Sequence, residues 1–282
     1  QIFLMYIFRK RNFRDHQDEA IINILCHRDS AVLLPTGAGK SIIYQLAGML
    51  MPGITAIVDP IIALIEDQVH VLKSHGISRA APIKSGRSDE IKDILARAEM
   101  GEFYFMFFSP ERLQSPKFRN TLLTLKGISL INLAVIDEAH CVSEWGHDFR
   151  PAYLNLSNNI KEHMKDSRGL APPVIALTGT ASRAVLKDVM TELELNKLRD
   201  PVIKPKSFDR NELKYWIKTC TFDKDREPTA RAVFNELPKK FGVSFSDLYS
   251  TNGNRTFSGL VFGPHVNGQH GVRANQDMVQ NL

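Results

Sequence analysis

Cysteine, tryptophan and long apolar runs are all scarce in this chain of 282 residues. The three cysteines, Cys26, Cys141 and Cys220, lie far apart and in no CxxC pair, so the sequence predicts neither a disulfide framework nor a structural zinc site. The apolar opening, residues 1–8, is interrupted by Arg9 and is far shorter than the roughly 20 apolar residues that span a bilayer. A disulfide-rich secreted domain and a membrane-spanning protein are therefore disfavoured, and a reducing compartment fits best.

A strong excess of one charge is also lacking. Lys and Arg number 36 against 31 Asp and Glu, which gives a net charge of +5. Apolar residues make up 43% of the chain and charged residues 24%, as in ordinary globular proteins, so the composition suggests neither a disordered nor a fibrous chain. This net charge is compatible with a polyanionic partner but does not indicate one. Because there is no initiating methionine, we expect the chain to start inside a longer protein.

Short apolar segments alternate with amphipathic ones up to about residue 210. The predicted strands are residues 31–34, 54–59, 103–108, 133–137 and 174–178, and the predicted helices are residues 41–51, 62–75, 89–100 and 182–193. This alternation is typical of βαβ units and predicts an α/β fold with a mainly parallel sheet flanked by helices. Ligands bind at the carboxyl ends of the strands in such sheets.

A glycine-rich turn, PTGAGKS at residues 35–41, joins the first predicted strand to a helix, which is the setting of a phosphate-binding loop (P-loop). The residues predicted to bind the nucleotide here are Thr36, Gly37, Ala38, Gly39, Lys40 and Ser41. Backbone amides surround the phosphates, Lys40 reaches the terminal ones, and Ser41 is a ligand of Mg²⁺. Leu34 occupies the position of the usual first glycine, so this motif alone does not define the enzyme class.

An acidic pair, Asp137 and Glu138, stands at the end of the predicted apolar strand, residues 133–137. Magnesium-dependent phosphoryl transfer depends on positioning and on charge neutralisation. We therefore predict that Asp137 holds the metal and that Glu138 orients and deprotonates the attacking water. Together with the P-loop, the pair predicts ATP and Mg²⁺ as cofactors.

The sequence around this pair resembles one helicase family. Residues 137–151, DEAHCVSEWGHDFRP, are similar to motif II and the aromatic-rich loop of RecQ-family DNA helicases of superfamily 2 (DEAH box). The resemblance covers residues 8–213 and implies the first RecA-like motor domain of an ATP-dependent DNA helicase with 3′–5′ polarity, acting in DNA repair and recombination. It also implies a catalytic role for His140 beside Lys40, Asp137 and Glu138.

In that family the aromatic-rich loop couples contact with single-stranded DNA to ATP hydrolysis. Trp145 and Phe149 offer ring faces on which bases can stack, and His147 and Arg150 can meet phosphates. By resemblance, these four residues form the DNA-binding site. Without the resemblance, a Trp and a Phe four residues apart are more often one face of a core helix.

Further segments extend the resemblance. They are residues 13–17 (the adenine-reading motif), 59–69 (motif Ia), 108–113 (a DNA-side motif), 177–181 (motif III) and 207–213 (the exit from the domain). Arg14 and Gln17 are expected to bind the nucleotide, since the Gln17 amide can bond both a donor and an acceptor on the base. Lys10 replaces the family's usual aromatic residue, and Gly179 replaces its usual alanine.

The domain organisation follows from these matches. We predict a lead-in at residues 1–10, a RecA-like ATP-binding domain at 11–210, and a connector with the truncated start of a second RecA-like domain at 211–282. In that last part, residues 258–262 form a predicted strand and a helix begins at 274. The 72 residues after Arg210 are too few for a whole second domain.

The expected partners are single-stranded or partly duplex DNA and the second RecA-like domain of the parent chain, with no membrane contact. The expected location is intracellular, in the cytoplasm if bacterial and the nucleus if eukaryotic.

Two other classes remain open. One is a P-loop enzyme such as a GTPase or a small-molecule kinase, although Arg199 stands where a guanine-specific motif after residues 196–198 needs Asp. The other is a nucleic-acid-binding or scaffolding protein with a vestigial ATPase. The intact residues Lys40, Ser41 and Asp137 disfavour the second class, but the sequence does not show turnover.

Overall fold

A computed structural model describes residues 1–84, 88–126, 130–145, 149–195, 201–205 and 216–249. The chain divides into two compact units, Gln1–Asp209 and Arg210–Leu282. Within the described residues, no helix is both long and apolar enough to cross a membrane. All three cysteines are described, and they form no disulfide.

Within the described residues, a seven-stranded sheet organises the first unit. Its strands are β1 (Ser30–Leu33), β2 (Ile54–Val58), β3 (Ala80–Ile83), β4 (Phe105–Phe108), β5 (Ile131–Ile136), β6 (Val174–Thr178) and β7 (Val202–Ile203). Their order is β3-β4-β2-β5-β6-β1-β7, and each pair of neighbours is parallel. The predicted α/β fold with a parallel sheet is confirmed.

Helices precede and connect these strands. In the first unit they are α1 (Ile2–Phe8), α2 (Gln17–Leu25), α3 (Lys40–Leu50), α4 (Ile62–Ser74), α5 (Ser88–Glu99), α6 (Pro116–Thr124), α7 (Leu156–His163) and α8 (Arg183–Glu192). The four predicted helices correspond to α3, α4, α5 and α8 with ends shifted by one residue, an ordinary difference at helix ends.

The core lies on both faces of the sheet. In β5, Leu133 and Val135 pack into one buried cluster with α1 to α4, whereas Ala134 and Ile136 pack into a second cluster with α5 to α8. Successive side chains of a strand point to opposite faces, so a strand covered on both sides must be apolar throughout. This explains the continuous apolar runs in the sequence.

Close packing of α3 on the sheet depends on Gly48. A Cβ atom at this position would lie 2.2 Å from Oγ1 of Thr55 in β2 and 3.1 Å from a ring carbon of Phe105 in β4. Glycine therefore lets the helix approach the strands more closely than any other residue. The position of α3 fixes where the P-loop ends.

The described part of the second unit is helical. It contains α9 (Arg226–Phe241) and α10 (Phe245–Tyr249). Pro238 lies inside α9, and the Lys240 Nζ atom lies 3.8 Å from the centre of the Trp216 ring, a cation–π contact. The strand predicted at residues 258–262 and the helix predicted from 274 lie outside the described residues.

Candidate functional site

The P-loop connects β1 to α3 at the carboxyl edge of the sheet. Leu34 is buried, the turn follows, and α3 begins at Lys40. Gly37 and Gly39 have φ angles of 82° and 83°, in the left-handed region that favours glycine. The turn thus leads directly into the amino end of an 11-residue helix, where unpaired amides and the helix dipole attract anions.

Gln17 and Arg14 bind the backbone of this loop through their side chains. The Gln17 side chain, only 2% of it exposed, donates from Nε2 to the carbonyl oxygens of Ala38 at 3.0 Å and Gly39 at 2.9 Å. Its Oε1 atom accepts from the backbone amide of Arg14 at 2.9 Å, and the Arg14 guanidinium donates to the Gly37 carbonyl. Both amide hydrogens of Gln17 are therefore used by the loop. The predicted reading of adenine by Gln17 stays a prediction.

Two buried carboxylates stand side by side where β2 and β5 end. Asp59 is 1% exposed and Asp137 is 7% exposed. Burial, reinforced by the charge of Asp59, raises the pKa of Asp137 to about 7. Burial also raises the pKa of Asp59 to about 6, against the opposing effect of a 2.9 Å hydrogen bond from the Ile61 amide. Sequence reasoning did not include Asp59 among the site residues, although a polar residue directly after an apolar strand was a usable signal.

Glu138 has a different environment from its neighbour. Its backbone has φ 45° and ψ 46°, a left-handed conformation that is costly for a residue other than glycine and recurs at functional sites. Its Oε2 atom lies 3.3 Å from Nδ1 of His140. The hydrogen bond from His140, with the charges of Lys40 and His140, lowers the pKa of Glu138 despite partial burial. Two adjacent carboxyl groups are thus held with pKa values shifted in opposite directions, as acid–base sites require.

His140 joins this acidic pair to the end of β6. Its Nδ1 atom lies 3.1 Å from Oγ1 of Thr178, which also donates to the carbonyl of Thr180 at 3.0 Å. Contacts with Cys141 and Glu138 raise the pKa of His140 to about 10. Thr178 of motif III is therefore in direct contact with the acidic segment.

The neighbours of Ser41 and Lys40 suit a phosphate-bound magnesium ion. Ser41 Oγ accepts from Nε2 of Gln68 at 3.3 Å, which orients the hydroxyl. The positive charge of Lys40 contributes to lowering the pKa of both Asp137 and Glu138, although burial dominates at Asp137. Among the described residues, no group of three or more His, Cys, Asp and Glu side chains is placed to hold a metal. Magnesium bound with a nucleotide needs only one or two protein ligands, because phosphates and water supply the rest.

Gly179 brings motif III directly against the P-loop. A Cβ atom at this residue would lie 3.0 Å from the Lys40 Nζ atom and 3.1 Å from Oγ1 of Thr36. The end of β6 therefore contacts the loop at Gly179 and the acidic segment at Thr178. These contacts join the P-loop and the acidic segment into one continuous site through the end of β6.

The aromatic-rich loop begins where that site ends. Trp145 is 80% exposed and Phe149 is half-buried, whereas His147 lies outside the described residues. Arg150 donates from Nη1 to the Pro60 carbonyl at 2.8 Å and lies 3.7 Å from the Glu111 carboxylate. Trp145 is thus available for stacking, while Arg150 ties the loop to the segments that follow β2 and β4.

The parallel sheet, the glycine turn before α3 and the acidic pair after β5 together define a RecA-like P-loop domain. The chain belongs to the DEAD/DEAH box helicase family, whose family model matches residues 14–189. It is a helicase domain homologous to RecQ-type ATP-dependent DNA helicases.

Three relatives illustrate this similarity. The probable ATP-dependent DNA helicase RecS of Bacillus subtilis is 43% identical over 192 residues, which cover 68% of this chain and 36% of RecS. The RecQ helicase of the same organism is 38% identical, over 70% of this chain and 32% of RecQ. The RecQ-like DNA helicase BLM of Xenopus laevis is also 38% identical, over 76% of this chain and 16% of BLM. The chain therefore spans about a third or less of the length of these relatives.

A solved structure shares the fold. The helicase domain of Hef from Pyrococcus furiosus superposes with a TM-score of 0.50 at 17% sequence identity, covering 86% of this chain and 50% of the Hef chain. At this identity the likeness concerns the fold alone.

Proposed function

We propose that this chain is the ATP-binding and hydrolysing motor domain of a RecQ-type, ATP-dependent DNA helicase. The observation that carries the proposal is the meeting of the P-loop with Asp137 and Glu138 at one sheet edge, directly before a loop that exposes Trp145. Similarity to proteins named ATP-dependent DNA helicases supports it. By the same resemblance, we assign 3′–5′ polarity to the parent protein.

The nucleotide end of the site is formed by the P-loop. Backbone amides of residues 36–39 and the Lys40 ammonium bind the phosphates, and Ser41 and Asp137 hold Mg²⁺. Bound ATP and Mg²⁺ supply the reactive phosphoryl group and the charge that neutralises it. With a cation beside it, the Asp137 carboxyl is held ionised, since a nearby positive charge favours the charged form. Arg14 and Gln17 fix the shape of the loop.

Glu138 is the general base of the proposed reaction. Its lowered pKa keeps it ionised at neutral pH and able to take a proton from the attacking water. His140 orients this carboxylate through the 3.3 Å contact and is itself anchored on Thr178. The charge of Lys40 also contributes to the lowered pKa of Glu138.

The nucleic-acid end of the site is the aromatic-rich loop. We assign single-stranded or partly duplex DNA as the partner, with bases stacked on Trp145 and Phe149 and phosphates met by His147 and Arg150. The exposed ring of Trp145 supports this assignment. Motors of this kind also need a second RecA-like domain, which supplies an arginine to the transition state. We assign that domain to the parent protein.

Nucleotide binding can be tested on the chain itself. We expect ATP·Mg to bind and Lys40→Ala to abolish binding, with Lys165→Ala, an exposed lysine elsewhere, as the control. Unchanged binding in Lys40→Ala would remove the site assignment.

Hydrolysis is tested in the longer protein. We expect ATPase activity that rises with single-stranded DNA and falls about 10²- to 10⁴-fold in Glu138→Gln, the range for loss of a general base. Equal activity without DNA would indicate a P-loop enzyme of another class. DNA binding without any turnover would indicate a scaffolding protein with a vestigial ATPase.

A further inference from the structure

Ser143 joins the aromatic-rich loop to α8. Its hydroxyl donates to the Asp188 carboxylate, with 2.5 Å between Oγ and Oδ2, and accepts from the backbone amide of Trp145 at 3.2 Å. Ser143 is 1% exposed, although Trp145, two residues later, carries one of the most exposed large apolar side chains among the described residues. A hydroxyl bonded to a carboxylate at this distance makes a strong, charge-assisted hydrogen bond. The backbone under the exposed ring is therefore held from inside the protein.

Both ends of one buried turn are fastened to the same segment. The 3₁₀ turn Ala139–Val142 is buried at Ala139, Cys141 and Val142, which pack in one cluster with residues of α8. At its start, His140 contacts Thr178 before α8; just after its end, Ser143 contacts Asp188 within α8. The turn and the β6–α8 segment are thus joined at two points.

Asp188 is not part of a helix cap. It is the sixth residue of α8, whose amino end is capped by Ser182, the acceptor from the Val185 amide at 3.2 Å. Its carboxylate instead reaches a partner 45 residues earlier in the chain. A bond across such a distance in sequence indicates a role in tertiary placement of the loop.

We propose that Asp188 is a positioning residue for the aromatic-rich loop. Through Ser143 it holds the backbone of Trp145 so that the exposed ring can contact nucleic acid. The nucleic-acid part of this inference rests on the proposed function. The β6–α8 segment also contacts the P-loop at Gly179 and His140 at Thr178, whereas Asp188 itself contacts the loop through Ser143. Loss of Asp188 should therefore disturb the loop and its response to DNA while nucleotide binding is kept.

The first experiment measures the loop directly. The sequence contains two tryptophans, so Trp216→Phe leaves Trp145 as the single reporter. In this background, we expect Asp188→Ala to lower the steady-state fluorescence anisotropy of Trp145 and to increase its quenching by acrylamide. Asp188→Asn, which keeps an acceptor oxygen, should give intermediate values of both quantities. Replacement of Glu192, an exposed acid on the same helix, by glutamine should leave the anisotropy and the quenching unchanged. Unchanged anisotropy in Asp188→Ala overturns the inference; if that variant does not fold, Asp188→Asn decides by the same criterion.

The second experiment measures the consequence. We expect Asp188→Ala to weaken binding of a single-stranded oligothymidylate about tenfold, the scale of a lost charge-assisted hydrogen bond, with ATP·Mg affinity unchanged. In a Ser143→Ala background the same change should have little further effect, because both residues act through one bond. Additive losses, or parallel losses of ATP·Mg and oligothymidylate binding, overturn the positioning role. If the unmodified chain binds no oligothymidylate, the proposed DNA function fails instead, and the anisotropy of Trp145 still decides the role of Asp188.

Discussion

The side-chain nitrogen of Gln17 lies 2.9 Å from the carbonyl oxygen of Gly39, so the start of α2 is bonded to the centre of the P-loop. The contact is close: a Cβ atom at Gly39 would lie 2.7 Å from the same nitrogen. Glycine is therefore required at this position both by its φ angle and by the space that Gln17 occupies. The two segments form one unit, although 22 residues separate them in sequence.

Replacement of Gln17 by alanine tests whether this glutamine supports the loop. The change leaves two loop carbonyls without their buried donor, which should cost about 1–3 kcal/mol of stability and lower the affinity for ATP and GTP in the same proportion. Calorimetric titration with both nucleotides and a thermal unfolding curve measure these effects, with exposed Gln114→Ala as the control. A loss confined to ATP, at unchanged stability, would instead show that Gln17 reads adenine.

Local patterns account for what the sequence predicted well. Five strands, four helices and the P-loop follow from apolar runs, amphipathic spacing and a glycine turn, each contained in a short stretch. β3 was missed because Pro82 interrupts its pattern, which an edge strand tolerates. β7 was missed because it is only two residues long and is defined by its pairing with β1.

Contacts between distant segments account for what the sequence did not predict. Arg150 is assigned to DNA phosphates by resemblance; in the structure it donates to the carbonyl of Pro60, 90 residues away, and lies near Glu111, so its contact with DNA stays a prediction. Asp59 acts on the pKa of Asp137 because β2 and β5 are neighbours in the sheet, which their positions in the sequence do not show. Residue type shows what a side chain can bond, but its partner depends on the strand order.

Close packing at Gly48 predicts that alanine, which ordinarily favours helices, destabilises the fold at this position. Alanine gains about 1 kcal/mol over glycine in a helix interior, but a methyl group here would lie 2.2 Å from Thr55 Oγ1. We expect Gly48→Ala to lower the free energy of unfolding by about 1–3 kcal/mol, as overpacked cores do, measured by urea denaturation. In the double variant with Thr55→Ala, the loss should be smaller than the sum of the single losses. Additive losses would show that this contact does not limit the packing.

Trp145 and Arg150 should respond differently to alanine substitution. The Trp145 ring is 80% exposed, so Trp145→Ala should weaken binding of single-stranded DNA by about 1–3 kcal/mol without changing stability. Arg150→Ala removes the bond to the Pro60 carbonyl and should lower both DNA affinity and the thermal midpoint. Oligonucleotide titration and thermal unfolding of both variants separate the two cases. Equal stability losses would show that the Trp145 ring is packed in the folded chain.

The raised pKa of Asp137 predicts that this residue opposes folding above neutral pH when no cation is present. Its pKa is about 7 in the folded chain and 3.8 as the unperturbed reference. The folded state therefore holds a proton that the unfolded state has lost between these values, so stability from this group is fully present below about pH 4 and declines as the pH rises through 7. We expect Asp137→Asn, measured without Mg²⁺, to raise the thermal midpoint by about 2–4 °C at about pH 8, the shift that about 1 kcal/mol produces in a domain of this size. At about pH 5 the gain should be smaller, because only part of the interval between 3.8 and 7, over which the folded chain keeps the proton and the unfolded chain loses it, has been crossed. An equal gain at both pH values would mean that the effect comes from packing and not from the charge. The same variant should also bind ATP·Mg more weakly, because it has lost the proposed metal ligand.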